Sequence, residues 1–260
     1  MNALETIVSQ RRKDVEDAKR RVPVAKLKEF AATRRHHSLL ERLHDGTRTH
    51  IIAEMKKASP SAGLLRADYR PAEIAAAYAK AGASGISVLT EPHRFLGSEE
   101  HFHEVRKTVD LPLLRKDFIC DVYQVHETAA WKADVILLIV AALDKGLLRD
   151  LYDTSIGYGL EVLVEAHTKP ELDTAVSMEK AIIGVNSRNL KTLKTDLATA
   201  RELVLSIPKD RVAIAESGIK TRGDIDMLET IGYRGFLVGE AIMTAEDPGR
   251  MLKSLSKNRV

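Results

Sequence analysis

Eight short apolar runs, each followed by a longer amphipathic stretch, constrain this chain more than any other feature. The runs are IIAEM (51–55), GISVLTE (85–91), LPLLRKD (111–117), DVILLIV (134–140), EVLVEA (161–166), AIIGVN (181–186), RVAIAES (211–217) and GFLVGE (235–240). They are continuously apolar rather than alternating, as expected of parallel strands covered on both faces. The stretches between them read as helices. PAEIAAAYAKAG (71–82) has Pro at its start and Gly at its end. SEEHFHEVRK (98–107) places acidic residues in its first turn and basic residues in its last, which suits the helix dipole. Strand and helix alternating eight times predict an α/β fold, a (β/α)8 TIM barrel. A doubly wound open sheet also alternates. No run here is followed by a GxGxxG turn, however, and eight repeats in about 210 residues fit closure.

The first fifty residues differ. Residues 3–20 read as a charged helix with Leu4, Ile7, Val8 and Val15 apolar, and Val24, Leu27 and Phe30 mark a second short one. The basic runs Arg11–Lys13 and Lys19–Arg21 are interleaved with acidic residues and read as a solvated helix face. No linker rich in Pro, Gly or Ser divides the barrel, so residues 1–260 are expected to form one domain.

Charge and composition narrow the function classes. Forty Lys and Arg against 37 Asp and Glu give a net charge of +3, which argues against a nucleic-acid partner. The longest apolar stretch, Ala133–Leu143, contains Asp134 and is too short to span a bilayer, so no membrane partner is expected. The N-terminus carries charges where an export signal needs an apolar run. A single cysteine, Cys120, makes neither an internal disulfide nor a multi-cysteine metal site and fits a reducing, cytoplasmic setting. His101 and His103 are two apart on a predicted helix and read as surface residues, so no metal site is expected.

In a barrel of this kind catalytic groups sit at the C-terminal ends of the strands. Those ends carry Glu54, Lys56, Lys57 and Ser59 on run one, Thr90 and Glu91 on run two, and Lys116 and Asp117 on run three. Run four offers nothing. Run five ends at Glu165, run six at Asn186 and Arg188, run seven at Glu216 and Ser217, and run eight at Gly239 and Glu240. Carboxylates inside apolar strands are costly to bury unpaired. Glu54, Glu165 and Glu216 with Lys56, Lys116 and Asn186 around one rim therefore make a candidate acid–base site, set against a purely structural salt-bridge network. Ser217 and Gly218 after run seven and Gly239 after run eight occupy the loops where this fold cradles phosphate. Glycine there lets backbone N–H groups approach an anion. Ser59 adds a hydroxyl or a backbone donor.

Six motifs carry a family resemblance. IIAEMKKASPSAG (51–63), SVLTE (87–91), LPLLRKDF (111–118), LVEAHT (163–168), GVNSRNL (184–190) and AESGI (215–219) resemble those of indole-3-glycerol phosphate synthase, in order and spacing, from about residue 50 to the end. The N-terminal helices, residues 1–48, resemble the extension that this family places over the barrel mouth. The resemblance implies that 1-(2-carboxyphenylamino)-1-deoxyribulose 5-phosphate is closed to an indole, with loss of carbon dioxide and water, in tryptophan biosynthesis. It implies a small phosphorylated substrate as partner, no metal and no organic cofactor, and a monomer with a homodimer as the alternative. It implies Lys116 as the acid at the ketone oxygen and Glu165 as the base of dehydration. Glu54 and Lys56 fall to the remaining acid–base and carboxylate-binding roles, and Asn186 and Glu216 to positioning the substrate. Phe118, Arg188, Ser59, Ser217, Gly218, Gly239 and Glu240 are implied contacts to substrate or phosphate. One departure stands out. Some members have serine where this chain has Glu240, and an acidic side chain beside a phosphate repels it, so the Glu240 carboxylate is expected to turn away. The competing readings are a Schiff-base aldolase using Lys116 and a binding protein whose basic first helix contacts nucleic acid, with affinity falling steeply in salt.

Overall fold

The computed structural model describes residues 3–33, 35–190 and 192–256. Three helices come first: α1 (Ala3–Arg21), α2 (Val24–Ala31) and α3 (Leu39–His44). Strand β1 (His50–Met55) is followed by an antiparallel hairpin, β2 (Ala58–Ser59) with β3 (Gly63–Leu64), and by α4 (Pro71–Lys80). Then come β4 (Gly85–Leu89), α5 (Glu99–Thr108), β5 (Leu113–Lys116), α6 (Val122–Ala130), β6 (Val135–Ile139), a 3₁₀ turn at Val140–Ala142 and α7 (Lys145–Gly157). The chain continues through β7 (Glu161–Ala166), α8 (Lys169–Val176), β8 (Ile182–Asn186), α9 (Ala198–Val204), β9 (Ala213–Glu216), α10 (Arg222–Thr230), β10 (Gly235–Val238), α11 (Glu240–Met243) and α12 (Pro248–Leu255).

Strands β1 and β4 to β10 pair in parallel and close into an eight-stranded barrel, β1 meeting β4 on one side and β10 on the other. Each predicted apolar run is one barrel strand. The helix starts follow from their caps. Ser98, Asp121, Asp144, Thr168, Thr221 and Asp247 each accept a backbone N–H of the first turn through a side-chain oxygen. Among the described residues no helix is long and apolar enough to cross a membrane.

Two cores result. One lies between strands and helices, built on Tyr78, Phe102, Ile136, Leu151 and Phe236. The other fills the barrel with Ile52, Leu114, Leu137, Leu163, Ile182, Ile214 and Leu237. Side chains alternate along a strand, so the residue two places on from each interior leucine or isoleucine also points inward, one layer nearer the mouth. Counting forward, Ile52 leads to Glu54, Leu114 to Lys116, Leu163 to Glu165, Ile214 to Glu216 and Leu237 to Gly239. Four places on from Ile182 is Asn186. The apolar layer thus fixes which polar side chains converge at the mouth.

The N-terminal helices reach both ends of the barrel. Helix α1 lies at the mouth end, where Ala3, Leu4 and Ile7 line a cavity with Lys56 and Phe118. Helix α3 closes the opposite end, with Leu39 and Leu43 buried in the barrel core beside the first residues of β4 and β10. His101 departs from its expected surface position: it is half-buried, its ring edge-on to Tyr69 at 5.0 Å. His103 is half-buried too, 3.2 Å from Glu99 and against Trp131.

Candidate active site

Lys116 is the centre of the mouth. Its ammonium lies 2.9 Å from Glu165 Oε2 and 3.3 Å from Glu216 Oε2. A second pair stands beside it, Lys56 Nζ 2.7 Å from Glu54 Oε1. Burial alone would lower the Lys116 pKa, but the carboxylates of Glu165, Glu216 and Glu54 outweigh it and hold the ammonium above the ordinary lysine range. Burial pushes Glu165 up, yet Lys116 and His167 bring it well below the usual carboxylate range. Glu216 goes the other way. Burial raises it, Lys116 offsets only part, and the neighbouring charge of Glu165 raises it further. Glu54 is drawn down by Lys56 and Lys116 against the burial that raises it. Two adjacent carboxyls are therefore pushed apart, one held as carboxylate and one favouring the acid, which is the separation an acid–base site needs.

Two glycines make room for this set. A Cβ on Gly239 would stand 2.3 Å from Glu54 Oε1, and one on Gly184 would stand 2.4 Å from Glu216 Oε1. At either distance the carboxylate would have to shift to admit a side chain, so each glycine is the space into which a carboxylate folds. Gly239 was legible as a strand-end glycine; Gly184, inside β8, had no such signal.

A cavity of about 660 Å³ opens above the charged set, lined by Glu54, Lys56, Lys116, Arg188, Glu216, Ser217, Gly218, Gly239 and Glu240 among others. Ser217 and Gly218 both have positive φ, 64° and 82°, which turns the backbone at the end of β9 toward this space. On its far side the first turn of α11 begins at Glu240. A smaller cavity, about 80 Å³, adjoins Lys56 and is lined largely by apolar groups: Leu4, Ile7, Pro60, Phe95, Phe118, Leu190 and Leu193. Phe95 and Phe118 pack against each other, tilted by 40° with ring centroids 6.1 Å apart. The site is thus bipartite, with a polar, glycine-edged half and an apolar slot meeting at Lys56, Ser61 and Arg188.

Some candidates are placed differently from the sequence expectation. Ser59 is buried in the hairpin turn, where its Oγ accepts from Ala62 N at 3.2 Å, and it lines the slot rather than the glycine-edged half. Ser61, two residues on, lines both the slot and the larger cavity. Asn186 Oδ1 accepts from Arg188 N at 2.9 Å, so its side chain shapes the β8 loop as well as facing Glu165. Arg188 donates to Leu193 O at 2.9 Å, to Ser61 Oγ at 3.2 Å and to Glu240 Oε2 at 3.3 Å. The Glu240 carboxylate is therefore engaged by Arg188 at the cavity edge and is not simply turned out to water. Phe95, Leu190, Leu193 and Ser61 were missed because apolar loop residues carry no periodic signal; Ser61 sits in the same SPS triplet as Ser59. Among the described residues no cluster of three or more His, Cys, Asp or Glu side chains is arranged to hold a metal ion.

This geometry agrees with the relationships of the chain. Residues 4–255 match the profile of the family described as indole-3-glycerol phosphate synthase. A curated relative, the indole-3-glycerol phosphate synthase of Azospirillum brasilense, is 46% identical over 216 residues, covering 83% of this chain and 82% of the relative. The chain belongs to the indole-3-glycerol phosphate synthase family. It is accordingly an enzyme, a carboxy-lyase of tryptophan biosynthesis, and the family implies a phosphorylated substrate. Solved structures agree on the fold alone. A mutant tryptophan synthase α-subunit from the hyperthermophile Pyrococcus furiosus superposes with TM-score 0.62 at 15% identity, covering 79% of this chain and 97% of that one. A thiamine phosphate pyrophosphorylase from the same organism gives TM-score 0.58 at 17% identity, covering 80% and 93%. Within the indole-3-glycerol phosphate synthase family, then, this member presents its mouth as one buried lysine between two carboxyls of opposite protonation tendency.

Proposed function

We propose that this barrel closes the indole ring of 1-(2-carboxyphenylamino)-1-deoxyribulose 5-phosphate with Lys116 as the acid and Glu165 as the base. The observation that carries the reading is the Lys116 ammonium, buried and paired at 2.9 Å with Glu165 beneath a cavity that has one polar and one apolar half. The carboxyphenyl ring suits the slot that Phe95 and Phe118 help to line, with Lys56 and Arg188 near its carboxylate. The phosphate suits the opposite rim, where the Ser217–Gly218 turn, Gly239 and the first turn of α11 offer backbone N–H groups. Glu240 sits at that rim as well, and Arg188 balances its charge.

Ring closure converts a ketone oxygen into a hydroxyl, and Lys116 delivers the proton. Loss of carbon dioxide returns electron density to the aromatic ring. Dehydration then needs a base for a ring-carbon proton, Glu165, and an acid for the departing hydroxyl, a role open to Lys116 or to the Glu54–Lys56 pair. Asn186 and Glu216 hold the substrate between them. No step in this scheme calls for a group beyond the chain's own side chains. Residues 1–48 belong to the same domain as the barrel in this reading, and the enzyme works in the cytoplasm, as is typical of the family.

The test is direct. Wild type supplied with the carboxyphenylamino substrate should yield a product with indole fluorescence. Lys116→Ala and Glu165→Gln should stay folded and lose at least about a hundredfold in kcat, the scale of a positioned acid or base. Full activity in either variant overturns its assigned role.

A further inference from the structure

Proton stoichiometry poses a problem that the mouth alone does not solve. The substrate's carboxylate leaves as neutral carbon dioxide. Two protons are put in, one on the ketone oxygen and one on the departing hydroxyl, and one is taken back from the ring carbon. Each turnover therefore draws one proton from solvent, and a bound substrate stands between Lys116 and the open mouth.

Against Glu165 lies another side chain, one that lines neither cavity. His167 follows β7 directly, and its Nε2 is 3.3 Å from Glu165 Oε1. Its Nδ1 is 3.3 Å from Oε2 of Glu171, one turn into α8. The imidazole is 10% exposed and Glu171 is 21% exposed. Both ring nitrogens are shielded from solvent, and among the described residues neither has a hydrogen bond of good angle. At 3.3 Å a small side-chain rotation brings either carboxylate into hydrogen-bond geometry with its ring nitrogen. Local sequence fixes the arrangement. Thr168 caps α8 by accepting from Glu171 N, while Glu171 Oε2 accepts from His167 N at 2.8 Å. The acidic end of this reciprocal cap is thereby held against the imidazole.

We propose that Glu171, His167 and Glu165 form a proton relay from solvent to Lys116, resting on the assignment of Lys116 and Glu165 made above. After Lys116 has given its proton to the ketone oxygen it is a neutral amine. Glu171, protonated from solvent, passes its proton to His167 Nδ1. His167 releases the proton on Nε2 to Glu165, and Glu165 passes it to the Lys116 amine 2.9 Å away. The net change is one proton moved from water to Lys116, with every carboxylate and the imidazole returned to its starting charge. The imidazole is left as its other tautomer and returns by exchange or ring rotation. Only a side chain with two exchangeable ring nitrogens can work in the middle position.

The experiment compares His167→Ala, His167→Gln and Glu171→Gln with wild type, in kcat, KM and the solvent deuterium effect on kcat, with thermal unfolding as the fold control. Glu171→Gln keeps an oxygen acceptor for the α8 cap, so it reports on the relay even if His167→Ala destabilises the loop. The relay predicts about a tenfold loss in kcat for all three, KM within about threefold, and a larger solvent isotope effect. Added imidazole should restore His167→Ala and leave His167→Gln slow. A His167→Gln variant as fast as wild type overturns the relay, since glutamine can orient Glu165 but cannot pass a proton. Unchanged kcat in His167→Ala overturns it as well. Wild type separates this from the underlying reaction: if wild type forms no indole product, both fall, whereas product from wild type with an unchanged His167→Ala removes the relay alone.

Discussion

At the residue scale, the site rests on the absence of side chains as much as on their presence. Gly184 lies inside β8, an all-buried strand, where an alanine would ordinarily suit the apolar surroundings better. Its missing Cβ is where Glu216 Oε1 lies, 2.4 Å from the position such an atom would take. The nearest backbone atom is 3.5 Å away, on Glu165, so the conflict is with the far end of a flexible chain and with Leu163 Cδ1 at 3.1 Å. The fold can absorb that; the carboxyl cannot keep its place. Gly184→Ala should therefore lower kcat by about tenfold or more while shifting stability by about 1 kcal/mol at most. Steady-state kinetics and denaturant unfolding on the same preparation check both halves, and a large loss of stability with normal kcat would contradict the argument.

At the element scale, α1 is held by a charge contact that the sequence did not disclose. Arg11 gives Asp117 two hydrogen bonds, Nε to Oδ1 at 3.0 Å and Nη2 to Oδ2 at 2.8 Å. Asp117 also accepts from Thr90 Oγ1, from Arg115 and from Phe118 N. Burial would raise the Asp117 pKa, but Arg11 and Arg115 hold it below the usual range. Asp117 follows Lys116 immediately, and the same helix supplies Leu4 and Ile7 to the apolar slot. Arg11→Met should cost about 3 kcal/mol of stability, because a fully buried carboxylate loses its principal partner. It should also raise KM more than it lowers kcat, since it frees the slot's cover and leaves Lys116 with its own partners. Urea unfolding and initial-rate kinetics test the two expectations separately. The legible and illegible parts of the chain divide along this line. The eight strands were readable because burial on both faces demands continuous apolar runs, and Glu54, Lys116, Glu165 and Glu216 because charge interrupts those runs. Arg11 was read as part of a solvated basic face, since a long-range partner 106 residues away leaves no local trace. Helix α3 and the two-residue strands β2 and β3 were too short for any periodicity to register, and the tertiary contacts that stabilise them are set by the barrel.

At the scale of the whole molecule, the two ends of the barrel have different work. The mouth end carries the buried lysine and carboxyls, whose burial side by side is costly and which the proposed reaction uses. The opposite end carries polar groups that tie α3 to the barrel. There Glu161, the first residue of β7, accepts from Leu39 N at 2.9 Å, from Leu40 N at 3.0 Å and from Ser38 Oγ. A carboxylate at the start of α3 satisfies donors that the helix itself leaves unpaired and sits favourably on its dipole. That contact seats Leu39 and Leu43 under the barrel core. Glu161 and Glu165 lie on the same strand, four residues apart, one facing each end. Glu161→Ala should unfold at lower temperature, losing about 2 kcal/mol as Leu39 N and Leu40 N lose their acceptor while Ser38 still caps Glu41 N, with kcat and KM within about twofold of wild type. The paired measurement on Glu165→Gln should give the reverse, near-normal unfolding and little turnover. Comparable loss of activity in both would mean that the two ends are mechanically coupled along β7. The strict separation predicted from the closed barrel requires the effect of each carboxylate to stay at its own end.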